Sequence, residues 1–288
     1  MPNNILVTGA NGQLGSEIRF LSNGYENFLF ADRGELDITD FAAVETFISK
    51  NAVVTVINCA AYTAVDKAEC DAQNADLINN KAVENLAKIC KDKDIKLVHI
   101  STDYVFDGKN YKPYLEEDEP NPIGVYAKTK YDGEKAILAI NPQNSIIIRT
   151  SWVYSSFGAN FVKTMLRLGM ERESLGVVFD QVGSPTYARD LAKTILDILP
   201  KIKNQKTEIY HFSNEGVVSW YDFAKEIMKM AKLSCNINPI ESTQYPTPAP
   251  RPHYSVLNKA KIKREFGVEI PYWKDSLSDC LKNLGAKK

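Results

Sequence analysis

Short apolar runs alternate with amphipathic stretches through the first half of the chain. The runs Ile5–Thr8, Phe28–Ala31, Val53–Asn58, Lys96–Ile100 and Ser145–Arg149 have strand length and a β-branched or aromatic bias, and they predict buried strands. Between them, apolar residues recur at helical spacing near Gln13–Ser22, Asp40–Lys50, Ala72–Lys91 and Tyr126–Ile140. Strands alternating with helices imply an α/β fold whose parallel sheet is covered on both faces. After residue 150 the rhythm becomes irregular. Helices are predicted near Asn160–Gly169, Ala188–Leu199, Trp220–Ala231 and Trp273–Asn283, separated by short apolar runs and proline-rich loops. Tyr245–Pro252 is too proline-dense for a helix or a central strand. It reads either as a stiff connector or as a loop over substrate. The expected layout is a dinucleotide-binding domain over 1–150 and a smaller, discontinuous, mainly substrate-binding domain over 151–288, with some segments returning to the first.

The first strand runs into Thr8-Gly9-Ala10-Asn11-Gly12-Gln13-Leu14-Gly15, a Gly-x-x-Gly-x-x-Gly loop followed by a helix. Gly9 permits a tight turn, Gly12 lets a pyrophosphate approach the backbone, and Gly15 lets helix and sheet pack closely. This makes the sheet Rossmann-type and doubly wound. The second strand ends at Asp32, 17 residues after Gly15, where an acid commonly holds the adenosine ribose. Arg33 follows and suits a 2′-phosphate instead, so NAD and NADP both stay open. Ligands of such sheets collect at the carboxyl ends of the strands. The glycine loop, Asp32, Cys59-Ala60-Ala61-Tyr62 and Ser101-Thr102-Asp103 all fall there.

Tyr126 and Lys130 are four apart on a predicted helix and so share a face. A nearby ammonium pulls a phenol's pKa down, and a phenol so tuned can hand a proton to a carbonyl oxygen as hydride reaches its carbon. Thr102 is placed to hydrogen-bond that carbonyl, although Ser/Thr/Asp runs also simply close strands. Trp152, just past a strand end, reads equally as core or as a platform for a sugar ring. His99 lies in an apolar run and reads as a packed, satisfied histidine. Glu116–Glu119 reads as a solvated acidic loop.

Composition excludes several classes. Of the 288 residues 44% are hydrophobic and 25% charged, with a net charge of −1 and no block of like charges, so no nucleic-acid partner is expected. No apolar stretch approaches the ~20 residues that cross a membrane. The first strand begins within a few residues of Met1, so no signal peptide is expected. Cys59, Cys70, Cys90, Cys235 and Cys280 show no metal or redox spacing and read as reduced thiols of a cytoplasmic protein.

Taken together these residues resemble the extended short-chain dehydrogenase/reductase superfamily, and within it the dTDP-4-dehydrorhamnose reductase family, over nearly the whole chain. The resemblance is carried by the glycine loop, Asn58–Glu69, Ser101–Phe106, Tyr126–Lys130, Arg149–Tyr154, Asp180–Thr186 and Arg251–Ser255. It implies NADPH- or NADH-dependent reduction of the C4 ketone of dTDP-4-dehydro-L-rhamnose to dTDP-L-rhamnose, the last step in making this sugar donor for surface polysaccharide. It also implies Tyr126 as proton donor and Lys130 as its partner and ribose ligand. Thr102 would tune the site through the substrate oxygen, and Asp103 and Trp152 would contact the sugar. Gly9, Asn11, Gly12, Gln13, Leu14, Asp32, Asp37, Ile38, Ala60, Ala61 and Tyr62 would line the cofactor, and Arg251 would meet the substrate's nucleotide or pyrophosphate.

Some members of the family join subunits through Mg²⁺ held by acidic side chains. Glu17 is present here, but Arg189 and Lys193 flank Asp190, and cations beside a divalent ion raise its electrostatic cost. No metal is therefore expected, and the chain is a monomer or a homodimer. Two other kinds of function compete, a sister enzyme on the same scaffold and a non-catalytic subunit. A nucleotide-sugar epimerase needs only Thr, Tyr and Lys, whereas a dehydratase needs a carboxylate where Tyr104 stands. A regulatory subunit resembling that of methionine adenosyltransferase needs the fold but not the proton donor.

Overall fold

The computed structural model describes residues 3–286. Its strands are β1 (Asn4–Thr8), β2 (Phe28–Ala31), β3 (Val53–Asn58), β4 (Lys96–Thr102) and β5 (Ile146–Thr150), then the short β6 (Val153–Tyr154), β7 (Ser174–Val178), β8 (Val182–Gly183), β9 (Thr186–Tyr187), β10 (Glu208–Phe212), β11 (Val218–Ser219) and β12 (Asn236–Ile240). Six of them form one parallel sheet in the order β10-β5-β4-β3-β1-β2. The order reverses at β1, which is the switch point of a doubly wound sheet. Register aligns the carboxyl ends. Thr8 faces Ala31 and Asn58, and Thr102 and Phe212 both face Thr150.

Successive side chains of a strand point to opposite faces, and here each face is apolar. Leu6, Val56, Leu97 and Ile147 pack with α2 (after the strand order, the helix Phe41–Lys50) through Val44 and Ile48, and with Val83, Leu86 and Ile137. Their neighbours Val7, Ile57, Val98 and Ile148 pack on the other face against α1 (Gln13–Leu21) through Leu14 and Ile18, and against Leu191, Ile195 and Ile198. Each such side chain, fully buried, contributes about 1.5–3 kcal/mol. The double burial explains why the first five strands are near-continuous apolar runs.

The remaining helices are α3 (Val65–Ala68), α4 (Ala72–Asp76), α5 (Ala82–Asp92), α6 (Val125–Ile140), α7 (Phe161–Glu171), α8 (Ala188–Ile198), α9 (Trp220–Ala231), α10 (Ala260–Phe266) and α11 (Trp273–Asn283). The helix expected over Ala72–Lys91 is interrupted by a π-helical turn, Leu77–Lys81. That turn directs the buried Asn79 side chain inward. Its amide accepts from Tyr62 N at 2.9 Å and donates to Tyr62 O at 3.1 Å and Thr129 Oγ1 at 3.2 Å, tying the segment after β3 to α6. A second core, built from Tyr154, Val162, Met165, Phe223, Ile227, Trp273 and Leu277, belongs to residues beyond 150. From the same half of the chain, β10 and α8 return to the large sheet.

Candidate active site

Gly9 adopts φ +61°, and a Cβ there would stand 2.7 Å from Ala60 N. Only a bare backbone lets the β1–α1 turn pass the end of β3. At Gly15 a Cβ would meet Gly9 O at 2.5 Å, so helix and loop pack as closely as backbones allow. Gly12 is the N-cap of α1 and supplies no side-chain acceptor. The first N–H groups of α1 therefore face outward with the positive end of the helix, a cradle suited to an anion. At the end of β2, Asp32 Oδ2 accepts from Asn11 Nδ2 at 2.8 Å. Arg33 is largely exposed, with Nε 3.1 Å from Asp37. Hydrogen bonds from the Thr39 hydroxyl and N–H hold the Asp37 carboxyl below its usual range.

This loop opens into a cavity of about 750 Å³. Its wall brings together Gly9, Gly12, Gln13, Leu14, Asp32, Arg33, Asp37, Ile38, Ala60 and Ala61 with Thr102, Asp103, Tyr126, Lys130 and Trp152. Three residues singled out in the sequence stand outside that wall. Asn11 reaches it through Asp32. The Tyr62 hydroxyl donates to Asp71 at 2.9 Å. Arg251 donates to Asp66 at 2.8 Å and to Ala249 O at 2.7 Å, beside the wall residue Val65. The wall also contains Cys59, whose stretch the sequence already puts at the strand ends, and Val65, Tyr104, Asn160 and Trp220, which the sequence does not single out as site residues. Tyr104 is recoverable as the chain neighbour of Asp103. Asn160, whose amide donates to Gln13 Oε1 at 3.1 Å, and Trp220 arrive from the irregular half with no local signal.

Gly124 is the N-cap of α6, and Glu69 accepts from Val125 N at 2.8 Å. Its first turns place Tyr126, half-buried, and Lys130, buried, against the end of β4. Lys130 Nζ donates to Ile100 O at 2.6 Å and lies 3.4 Å from His99 Nε2. His99 Nδ1 is 3.0 Å from Asn58 Nδ2, and Asn58 accepts from Thr8 Oγ1 at 2.6 Å, so a buried polar chain connects Lys130 to the glycine loop. Burial, then the nearby Lys130, keeps the His99 pKa well below its ordinary value. Burial likewise lowers Lys130 to about 8, opposed by buried Glu134, which is paired with Arg149 at 2.7 Å.

The phenol departs from expectation. Spacing predicted that Lys130 pulls the Tyr126 pKa down, whereas burial pushes it up to about 12, with only the hydrogen bond to Thr102 pulling back. Desolvation of a phenolate outweighs an ammonium already engaged by a carbonyl. Such a phenol keeps its proton at neutral pH, which a proton donor requires. Beside it, Tyr104 meets the Tyr126 ring edge-on at 5.8 Å. Asp103 is buried, accepts from Thr102 Oγ1 at 3.1 Å and leaves Oδ2 without a partner. Burial raises its pKa to about 7, against hydrogen bonds from Ser255 and Thr102. Trp152 has one face covered by Trp220, centroids 3.6 Å apart, so only its other face and its edges are left to the cavity.

The residues suggested for Mg²⁺ do not fit a divalent cation. Glu17 is buried, accepts from Ser155 Oγ at 2.6 Å and pairs with Arg189 Nε at 2.8 Å. Asp190 is turned toward Ser276 and Asn214. Among the described residues, no helix is long and apolar enough to cross a membrane.

A glycine-rich turn at the switch point of a doubly wound sheet, facing Thr, Tyr and Lys from adjacent elements, defines the short-chain dehydrogenase/reductase class. Residues 3–286 match the family model described as RmlD substrate binding domain. A dTDP-4-dehydrorhamnose reductase of Aggregatibacter actinomycetemcomitans is 43% identical over 286 residues, covering 96% of this chain and 97% of that protein. A solved dTDP-4-dehydrorhamnose reductase from Clostridium acetobutylicum superposes with a TM-score of 0.93 at 41% identity, covering 98% of this chain and 99% of that one. One from Bacillus anthracis, solved in complex with NADP, superposes with a TM-score of 0.93 at 37% identity and the same coverage. The chain belongs to the dTDP-4-dehydrorhamnose reductase family.

Proposed function

We propose that this chain reduces the C4 ketone of dTDP-4-dehydro-L-rhamnose to dTDP-L-rhamnose with NADPH or NADH. The observation that carries this reading is the meeting of Thr102, Tyr126 and Lys130 with the glycine loop in one cavity, in a chain of this family. The cofactor fits the residues present. The α1 N-terminus and Gly12 suit its pyrophosphate, and Asp32 or Arg33 suits the adenosine ribose or its 2′-phosphate.

When bound, the reduced nicotinamide supplies a hydride to the carbonyl carbon. Tyr126, protonated at neutral pH, donates its proton to the carbonyl oxygen as negative charge develops there. Thr102, turning its one hydroxyl proton from Asp103 Oδ1, holds that oxygen toward the phenol. Lys130, fixed by Ile100 O and His99, donates to the nicotinamide ribose and offsets charge on the phenolate left behind. Asp103 and Trp152 bound the sugar, and Arg251 presents a guanidinium to the nucleotide end once released from Asp66. No second carboxylate follows Asp103, since Tyr104 stands there, so the site lacks the acid–base pair that dehydration needs. The first 150 residues then serve mainly the dinucleotide and the rest mainly the sugar, in a cytoplasmic monomer or homodimer.

Chromatography of the reaction of purified enzyme, NADPH and dTDP-4-dehydro-L-rhamnose made in situ tests the reading. Appearance of dTDP-L-rhamnose supports it. Recovery of an epimerised keto-sugar with NADPH unconsumed overturns it.

A further inference from the structure

Trp152 is, among the described residues, the only aromatic with positive φ, at 48°. A bulky side chain holds that conformation only where its surroundings impose it. Three neighbours do so here. The Trp220 indole lies parallel to that of Trp152, 3.6 Å between centroids and 11° between planes, and Phe161 backs Trp220 at 4.6 Å. At Gly183 a Cβ would stand 2.8 Å from Trp152 Cε2, so glycine alone leaves that ring in place. Thr186 N donates to Trp152 O at 3.2 Å. Trp220 is itself the first residue of α9, set by the capping box of Ser219 and Asp222.

We propose that Trp220 is a positioning residue for the sugar nucleotide, bracing Trp152 so that the two indoles form one fixed wall of the cavity. This rests on the reading of Trp152 as a sugar contact. Both rings line the cavity that holds Thr102 and Tyr126. A loose indole must be ordered each time substrate binds, and that cost is subtracted from affinity. A ring already stacked on its neighbour has been ordered by folding. The stacking contacts of the brace involve none of the residues read as holding the cofactor, so NADPH affinity does not depend on it.

The test compares Trp220→Leu, Trp220→Phe, Gly183→Ala and Trp152→Leu in steady-state reduction of dTDP-4-dehydro-L-rhamnose, with NADPH affinity measured separately. Trp220→Leu and Gly183→Ala raise the sugar-nucleotide KM about tenfold and leave NADPH affinity unchanged. Trp220→Phe, which keeps a stacking ring, restores most of the KM. Intrinsic fluorescence gives a second readout, because the chain has only three tryptophans and Trp273 is in the core. In Trp220→Leu the change produced by dTDP-L-rhamnose needs about tenfold more ligand than in the wild type. A raised KM in Trp152→Leu with an unchanged one in Trp220→Leu overturns the brace alone. An unchanged KM in Trp152→Leu overturns the sugar contact and the brace with it, while turnover of NADPH shows that the reductase reading stands.

Discussion

Arg189 Nε lies 2.8 Å from Glu17 Oε2, joining α8 to α1 through a carboxylate that is 0% exposed and a guanidinium that is 21% exposed. Ser155 satisfies the second carboxylate oxygen at 2.6 Å. A charge that a metal ion would otherwise balance is thus balanced within one chain.

Activity should therefore be indifferent to chelation and to added Mg²⁺. Arg189→Leu strands the buried carboxylate and should lower stability by about 2–4 kcal/mol, somewhat less than a fully buried pair would lose because Arg189 is partly solvated. Denaturant unfolding measures the second effect. Loss of activity with chelator, restored by Mg²⁺, contradicts the first.

Tyr126→Phe should keep NADPH binding and lose ~10²–10⁴-fold in kcat, the usual contribution of a positioned general acid. Stopped-flow hydride transfer separates this from product release. A near-wild-type transfer rate assigns the proton to another group.

Burial places Lys130 near pKa 8, and its charged form is the one that donates to a ribose. NADPH affinity should weaken as pH rises through 8, and binding near pH 8 should take up a proton. Calorimetry in two buffers of different ionisation enthalpy counts that proton. Lys130→Arg, which stays charged throughout, should bind with no uptake. A wild-type affinity flat from about pH 7 to pH 9 removes Lys130 from the cofactor site.

How legible this was depended on range. The five apolar strands follow from local pattern because burial on both faces leaves no polar alternation to confuse them. Strand β10, Glu-Ile-Tyr-His-Phe, carries no local signal of a buried strand, since its polar atoms are satisfied at long range: Tyr210 Oη donates to Glu265 at 2.6 Å, and His211 Nδ1 lies 3.2 Å from Tyr114 O. The seven-residue α10 is too short and too charged to announce itself. In the site, Gly9, Gly12, Tyr126 and Lys130 are tied by spacing, which sequence displays. Trp220 and Asn160 meet them only through packing of the second half. The Tyr126 pKa direction depended on burial, which no spacing reveals.

Asp103 titrates near 7 in the fold against about 3.9 unfolded. Between those values the folded chain holds more protons than the unfolded one, so this group removes stability as pH rises from about 4 to about 7. Asp103→Asn abolishes the titration. Its Tm relative to wild type should climb as pH is raised through that window. A difference that stays constant with pH contradicts the raised pKa.

The most direct test of the central claim uses NADPH deuterated at the transferable nicotinamide position, with dTDP-4-dehydro-L-rhamnose as acceptor. The account predicts one deuterium at C4 of dTDP-L-rhamnose for each cofactor oxidised, seen by NMR and mass spectrometry. Unlabelled product, or label at another sugar carbon, contradicts it.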